Sequence, residues 1–291
     1  MNKLIFVSLY MKKLALGFLF IFLLAGCEKE KNTTPTEKEK HILEVRAAAE
    51  YPLGLKATDL YIGVEYYKDY TEKDVVTVSI NNGQATLISE VTENDQLSTQ
   101  FASKSLFKLP QINQTGDVKI NISIKNNQNT ISGEGTIRVV NDYSLSTVWN
   151  SLDRTYLNTR YFYANRLKNN SFILQQVGFS NTNDFFLGFY SKNFGNFNTY
   201  EDRTFIPGLS GRYTLSFNGN TLNHITTNNG DKIIDQNFNV DSFYATLTAI
   251  YGAGIIQPQT NNNKVTIFKS AGFQLVVTET PREVSTVITQ L

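Results

Sequence analysis

Apolar and polar residues alternate along the chain between Ile42 and Asn141, and the alternation is interrupted by turn residues. Asn82-Gly83 separates two of the alternating segments and predicts a hairpin, because both residues tolerate positive φ. In DLYIGVEYY and DVKINISIK, the residues that share one inward face are Leu60, Ile62, Val64 and Tyr66, and Val118, Ile120, Ile122 and Ile124. The pattern predicts about seven strands in roughly 100 residues, which is typical of a two-sheet sandwich.

The number and order of these strands resemble the immunoglobulin-like modules of bacterial surface proteins. The resemblance is one of pattern alone, because the segment has neither the cysteine pair nor the tryptophan of antibody domains. It implies that residues 42–141 form an Ig-like β-sandwich domain.

A different period follows the sandwich, in NDYSLSTVWNSLDRTYL. Its apolar residues recur at helical spacing and form one stripe, made of Leu145, Val148, Trp149, Leu152 and Tyr156. We predict one helix that begins at Asp142 or Ser144 and packs on a second domain, residues 142–291. Trp149 is then its largest buried side chain, and a sugar-stacking role for Trp149 is the alternative.

Period-two alternation returns after this helix. GRYTLSF places Tyr213, Leu215 and Phe217 inward, and we expect turns at Asn218-Gly219 and Asn229-Gly230. DSFYATLTAIY, KVTIF and GFQLVVTE continue the pattern as strands. The fold class that we predict is therefore mainly β: an N-terminal Ig-like sandwich followed by a second β-rich sandwich or barrel domain with one helix.

The segment from Asn181 to Phe205 combines many aromatic residues with Asn, Ser and Gly. A strand buried on both faces explains the first half of the segment. After Ser191 the alternation fails while the aromatic residues continue. Aromatic rings beside amides on a loop can stack on a ligand and hydrogen-bond to it, so we predict Phe194, Phe197 and Tyr200 as ligand-binding residues.

The N-terminus carries an export signature. Lys12 and Lys13 precede an apolar run of 11 residues, Leu14 to Leu24, and the small residues Ala25-Gly26 follow. The run is too short to span a membrane, which takes about 20 residues. We predict a signal peptide over residues 1–26, with translation beginning at Met1 or Met11.

Leu24-Ala25-Gly26-Cys27 resembles the lipobox of bacterial lipoproteins. The resemblance implies that the Cys27 thiol is acylated, that the chain is cut before Cys27, and that the partner of this residue is a membrane. A buried free cysteine in a helix is the alternative, but charged residues follow Cys27 where a buried helix would carry apolar ones. Two or three acyl chains give a permanent anchor.

Residues 27–41 read as a charged tether. EKEKNTTPTEKEK contains no apolar residue except Pro35 and cannot form a core. Acidic residues and lysines directly after a lipidated cysteine also resemble the surface-export signal of Bacteroidota lipoproteins, and an ordinary solvated spacer is the alternative. We therefore expect an outer-membrane, lipid-anchored protein on the periplasmic or the surface-exposed face.

Composition restricts the partners. Removal of Lys3, Lys12 and Lys13 with the leader leaves 24 of 27 basic residues against 26 acidic ones, so the mature chain has no basic field for nucleic acid. Once Cys27 is lipidated no cysteine remains, and the exported chain folds without disulfides.

The sequence gives little support for catalysis, and we predict no catalytic, cofactor-binding or metal-binding residue. The chain contains two histidines, His41 in the tether and His224 in a predicted strand, and it has neither a G-x-S-x-G elbow nor a zinc motif. Two acids suffice for a glycoside hydrolase, and Asp184, Glu201 and Asp202 lie beside the aromatic segment. Asp231 and Asp235 offer oxygens for calcium without EF-hand spacing.

Three functions remain as hypotheses. The first is a lipid-anchored envelope binding or adhesion protein that recognises a glycan or another surface ligand through its C-terminal domain. This layout resembles the surface glycan-binding lipoproteins of Bacteroidota, which place an Ig-like domain after the lipid. The second is a structural or assembly partner of an envelope complex that uses its strand edges. The third is a carboxylate-dependent glycoside hydrolase.

Overall fold

The alternating segments of the sequence fold into mainly antiparallel sheets, so the chain is mainly β, as predicted. The structure is a computed structural model, and it describes residues 39–81, 83–94, 101–160, 162–166, 172–174, 184–186, 189–191, 196–198, 206–233, 235, 237–259 and 261–291. Cys27, the leader and most of the tether lie outside the described residues. Residues Lys40 to Leu291 form one unit.

Among the described residues up to Val140, nine strands contribute to the two sheets of the N-terminal sandwich. They are β1 (Ile42–Ala49), β2 (Gly54–Leu55), β3 (Tyr61–Lys68), β4 (Val75–Ile80), β5 (Gly83–Gln84), β6 (Thr86–Asn94), β7 (Phe101–Lys108), β8 (Gly116–Lys125) and β9 (Thr130–Val140). The first sheet contains the order β1-β3-β7-β6, and the second has the order β2-β9-β8-β4-β5.

This strand order is that of an Ig-like sandwich. We set aside the two-residue strands β2 and β5 and count the seven remaining strands along the chain. The first, second, fifth and fourth of them lie in one sheet, and the seventh, sixth and third lie in the other. Immunoglobulin domains divide their seven strands in the same way. The inward residues predicted on β3 and β8 belong to one buried cluster with residues of both sheets. The predicted sandwich is confirmed.

The hairpin predicted at Asn82-Gly83 is real but short. Only Gly83 and Gln84 return along β4, where they pair with Ile80 and Ser79. The chain then crosses to the first sheet, where β6 pairs with β7. Sequence alternation marks where strands lie and does not show which sheet a strand joins.

The tether ends earlier than residue 41. The backbone N–H of Lys40 donates to the side chain of Gln128 at 2.9 Å, and the backbone N–H of His41 donates to Asp69 at 2.8 Å. The His41 ring also contacts the other Asp69 oxygen at 3.0 Å. His41 is therefore held on the sandwich and is not a tether residue.

Two short helices replace the single helix predicted after the sandwich. They are α1 (Leu145–Ser151) and α2 (Arg154–Thr159). Asp153 interrupts the helix because its carboxylate accepts the backbone N–H of Tyr156 and caps α2, a role for which Asp is favoured. Trp149 is buried and its ring lies 5.4 Å from that of Phe273, so it is a core residue as predicted.

A third helix, α3 (Val240–Tyr251), stands where DSFYATLTAIY predicted a strand, and that prediction was wrong. Its buried residues Phe243, Leu247 and Tyr251 recur every four positions, which is a helical spacing. Asn239 caps its first turn by accepting the Ser242 N–H. The apolar residues at 243, 247 and 251 fit the spacing of a strand as well as that of a helix, and the cap decides between the two.

The C-terminal sheet has seven strands in the part of the chain that the structure describes. They are β12 (Asp184–Phe186), β15 (Arg212–Asn218), β16 (Thr221–Asp231), β17 (Ile255–Ile256), β18 (Lys264–Ser270), β19 (Phe273–Glu279) and β20 (Glu283–Gln290), in the order β12-β15-β16-β20-β19-β18-β17. Tyr213, Leu215 and Phe217 face the core as predicted. Their cluster includes side chains of α1, α2 and α3, so helices cover this face of the sheet.

The turn predicted at Asn229-Gly230 is wrong, because β16 continues through both residues with a bulge after Asn228. Asn229 points inward and donates to the Thr286 hydroxyl at 2.8 Å. A Cβ on Gly230 would lie 2.5 Å from ring carbons of Phe238, so glycine is required there for close packing.

The chain after α2 returns to the first sheet of the sandwich. Strand β10 (Phe162–Arg166) pairs with β1, and β11 (Phe172–Leu174) pairs with β10. A two-strand ribbon, β13 (Phe189–Ser191) with β14 (Asn196–Asn198), lies beside β1 and β3. Part of the segment assigned to the second domain therefore extends the sheet of the first.

The division into residues 42–141 and 142–291 stays a prediction. We expect limited proteolysis to cut in the tether or near Asp142, which is exposed. Because β10 pairs with β1 from Glu44 to Ala47, the two fragments should stay together in native buffer and separate in denaturant. Mass spectrometry after size-exclusion chromatography checks both points. One resistant fragment, with neither half soluble alone, contradicts the division.

Candidate functional site

The sequence-predicted ligand residues fall in the part of the chain that the structure describes least. Phe194 and Tyr200 lie outside the described residues. The backbone of Phe197 belongs to β14 and pairs with Tyr190, which replaces the predicted loop by a short strand, and its side chain is not described. The three residues therefore stay predicted ligand contacts, and Cys27 stays the predicted lipid attachment site.

An open cleft of about 410 Å³ lies at one end of the sandwich. It is formed where the turn between β4 and β5 meets the loop from Leu109 to Thr115 between β7 and β8. Its lining residues are Ile80, Asn81, Gly83, Pro110, Gln111, Ile112, Asn113 and Gln114. The sequence interpretation missed this site, although one side is formed by Ile80, Asn81 and Gly83 and the other by the amide-rich segment PQINQ.

The loop side of the cleft is fixed to the sandwich. Leu109 and Ile112 are buried in the core, and the Leu109 N–H donates to the carbonyl of Leu60 at 2.9 Å. The Ala57 N–H donates to the carbonyl of Ile112 at 2.9 Å, and the Gln111 amide donates back to the Ala57 carbonyl at 3.2 Å. The exposed amides of the loop therefore stand on a held backbone.

The turn side of the cleft approaches the loop closely. Asn81 has a φ of 43°, a left-handed conformation that Asn tolerates. A Cβ on Gly83 would lie 3.2 Å from the Pro110 ring, so glycine lets the two sides come together. A larger residue at position 83 would have to displace the loop.

The lining combines amides with an apolar floor. Asn81, Gln111, Asn113 and Gln114 each carry a primary amide, which offers two N–H donors and a carbonyl acceptor. The apolar part is contributed mainly by the partly exposed Pro110, with the buried Ile80 and Ile112 at its base. All eight lining residues are uncharged, so the cleft suits a neutral ligand with several hydrogen-bonding groups.

The acids considered for chemistry do not form a site among the described residues. The Asp231 carboxylate accepts the Ile233 N–H at 2.9 Å and contacts Arg282 at 3.3 Å, and Asp235 accepts the Asn237 N–H at 3.1 Å. The described part of the chain holds no group of three residues that suits a metal ion. Glu201 and Asp202 lie outside the described residues, and of Asp184 only the backbone, in β12, is described.

Glu65 is a buried acid in the N-terminal sandwich. It lies on β3 and is 4% exposed, and burial raises the pKa of its carboxyl while Arg46 and Lys104 act in the opposite direction. The Tyr67 hydroxyl donates to it at 3.4 Å. A substrate cannot reach a carboxyl buried to this extent, so we assign Glu65 a structural role.

His224 shows no catalytic arrangement in the described structure. It lies on β16, half-buried, and its Nδ1 is 3.2 Å from the Asn223 amide. No helix among the described residues has the length and hydropathy needed to cross a membrane.

Comparison with known proteins adds no assignment, because neither a protein-family model nor a curated protein matches the chain. Function is therefore inferred from the chain's own sequence and geometry.

Proposed function

We propose that the chain is a lipid-anchored cell-envelope protein that binds a ligand with its folded body. The cleft at the end of the sandwich carries this proposal, because it combines a concave shape, hydrogen-bonding side chains and a held backbone. Phe194, Phe197 and Tyr200 are a second proposed contact in the C-terminal region. The anchor is Cys27, on the sequence pattern that surrounds it.

The position of the cleft fits an anchored protein. The tether joins the sandwich at Lys40 and His41, which contact the connections β8–β9 and β3–β4. The cleft lies at the opposite ends of the same strands, beside the β4–β5 turn and the start of β8. The ten residues of β8 separate the two ends by about 30 Å, at roughly 3.3 Å per residue. A protein tethered at one end thus presents the cleft at the other.

A second candidate function, assembly with another envelope protein, is favoured by the surface of β6. This strand ends the order of the first sheet among the described strands. Leu87, Ile88 and Val91 on it are exposed at 47%, 51% and 51%. A long edge strand with exposed apolar residues can pair with a strand of another chain. Val91→Lys on β6 tests assembly. Loss of a protein that co-purifies with the wild-type chain would support it.

Cys27→Ser tests the anchor. We expect the variant to remain uncleaved or to become soluble, because serine has no thiol to acylate, whereas the wild type should fractionate with the membrane and lose residues 1–26. Fractionation and the intact mass of the purified chain measure both effects.

Cys27→Ala serves as a second variant, since it also removes the thiol and should behave like Cys27→Ser. Membrane association and processing that are unchanged in both variants would refute the anchor.

Binding by the folded body is tested on the full chain purified in detergent. Cell-envelope material and extracellular polymers are immobilised, and we expect saturable retention of the wild-type chain on at least one of them. Retention that is equal on every surface and linear in protein concentration would show that the body has no specific ligand.

A further inference from the structure

We propose that the ligand of the sandwich cleft is an uncharged carbohydrate, held by the amides of Asn81, Gln111, Asn113 and Gln114. This inference rests on the proposed binding function and adds the ligand class and the contacting residues. The cleft does not overlap the aromatic residues predicted from the sequence.

The donor and acceptor chemistry points to hydroxyl groups. A sugar hydroxyl both donates and accepts a hydrogen bond, and a primary amide does the same through its N–H₂ and its carbonyl. The Gln111 amide uses one N–H on the Ala57 carbonyl at 3.2 Å, which orients its carbonyl oxygen and leaves that oxygen for a ligand. Four amides around one floor can therefore contact several hydroxyls of one sugar unit.

The floor and the charge match the same class. Ile80 and Ile112 are only 4% and 5% exposed, so the C–H face of a pyranose ring would lie mainly on the partly exposed Pro110. The volume of about 410 Å³ is within the range of small-molecule sites, roughly 300 to 1,000 Å³. An anionic or cationic ligand would find no opposite charge among the eight lining residues, so a neutral sugar is favoured.

The shape argues against an extended peptide. A peptide main chain carries its donors and acceptors along a line and is normally recognised by a strand edge. The cleft amides stand on a turn and a loop around a concave floor. A compact ring with hydroxyls on its rim fits this arrangement better than a strand does.

Calorimetry of the full chain in detergent with a panel of uncharged oligosaccharides (α-glucan, β-glucan, mannan and xylan hexasaccharides) tests the proposal. We expect at least one to bind, with an affinity independent of salt because no ion pair forms. Asn113→Ala and Gln114→Ala should each weaken binding about threefold to tenfold, the loss that one neutral hydrogen bond represents. Gly83→Val, which narrows the cleft, should abolish it.

Asn127→Ala is the matched control, because Asn127 is an exposed amide in the β8–β9 connection, at the tether end of the sandwich. It should bind like the wild type, and Asn113→Ala, Gln114→Ala and Asn127→Ala should keep the wild-type unfolding temperature. Gly83→Val crowds Pro110, so its loss of binding counts only together with that of the two cleft alanine variants. If the chain binds envelope material but none of the sugars, or if the cleft variants bind the sugar as well as Asn127→Ala does, the carbohydrate proposal is wrong while the binding function stands. If a peptide competes for the site and sugars do not, the ligand class is wrong. A chain that binds no envelope material at all refutes the proposed function itself.

Discussion

Asp74→Asn should lower the free energy of unfolding by about 3 to 5 kcal/mol, the usual cost of breaking a buried ion pair by removing one charge. The Asp74 carboxylate lies 2.9 Å from the Lys68 ammonium, and the side chains of both residues are 1% exposed. The substitution keeps the shape of the side chain and leaves the Lys68 charge buried without a counter-charge. Equilibrium denaturation in urea measures the loss.

The surroundings of the pair explain why the cost is large. The Tyr70 hydroxyl donates to the second Asp74 oxygen at 2.7 Å and accepts from the Asn126 amide at 3.0 Å. The Lys68 ammonium also donates to the Glu72 carbonyl at 2.6 Å and lies 5.0 Å from the centre of the Tyr70 ring. Hydrogen-bonding groups of the protein therefore surround both charges, and an orphaned Lys68 charge would have little access to water.

A double-mutant cycle separates the ion pair from the rest of the network. Lys68→Met combined with Asp74→Asn removes both charges, and we expect the double variant to be more stable than Asp74→Asn alone. Lys119→Met is the matched control, since Lys119 and Glu134 form a pair 2.8 Å apart in the same sandwich with side chains 72% and 55% exposed. That control should leave the urea midpoint close to the wild-type value, because solvent screens an exposed pair. Equal losses at the buried and the exposed pair would refute this account.

The buried pair shows what alternation in a sequence does not reveal. The same period-two pattern that placed Ile62, Val64 and Tyr66 inward brings Lys68 to that face, and a lysine at the end of a strand normally reads as a solvated residue. Asp74 is six positions away in a connection. Only the tertiary turn between β3 and β4 brings the two charges together, so local sequence cannot predict the pair.

The sandwich was predictable because each main strand turns one apolar face to the core, and this forces apolar residues to alternate with polar ones. The alternation persists on β3 even though Glu65 on its other face is also buried. Residues 240–251 were not, since their apolar spacing fits a helix and a strand alike and the deciding Asn239 cap is a single residue. The turn prediction at Gly230 failed for a related reason. Glycine is favoured both in turns and where two segments pack closely, and the Phe238 ring that requires glycine here lies outside β16.

The cleft was missed because its parts are separated in sequence. Asn81 and Gln114 are 33 positions apart, and each stands in a segment that reads as an ordinary polar turn. The sandwich topology brings the two connections to one end, where their amides line a shared space. The sequence did contain a signal for the cleft. Both connections are rich in amides, and the predicted sandwich places them at the same end.

Arg138→Met should lower the free energy of unfolding by about 2 to 3 kcal/mol, because Arg138 links the last strand of the sandwich to the helices that follow. Its guanidinium forms a two-point ion pair with Asp117 and contacts the Asp153 carboxylate at 2.6 Å and the Ser151 carbonyl at 2.9 Å. Hydrogen bonds and charge from the two carboxylates outweigh desolvation and raise the pKa of Arg138 above its ordinary value. The side chain is 21% exposed, so the cost is smaller than at a fully buried pair.

Arg138→Lys and a pH series make this prediction specific. Lysine keeps the charge but cannot hold Asp117, Asp153 and Ser151 at once, so it should recover less than half of the loss.

Partial burial would raise the pKa of the Asp153 carboxyl, but the Arg138 contact and the N–H groups of Tyr156 and Thr155 lower it below the ordinary 3.8. The stability that this ionised carboxyl contributes is therefore fully present above about pH 4 and is lost as the pH falls through the lower folded pKa. Asp153→Asn should be less stable than the wild type at neutral pH, and the two should converge in acid. If the difference between them stays constant from neutral to acidic pH, or if Arg138→Lys matches the wild type, the ion-pair link is not what joins the sandwich to α2.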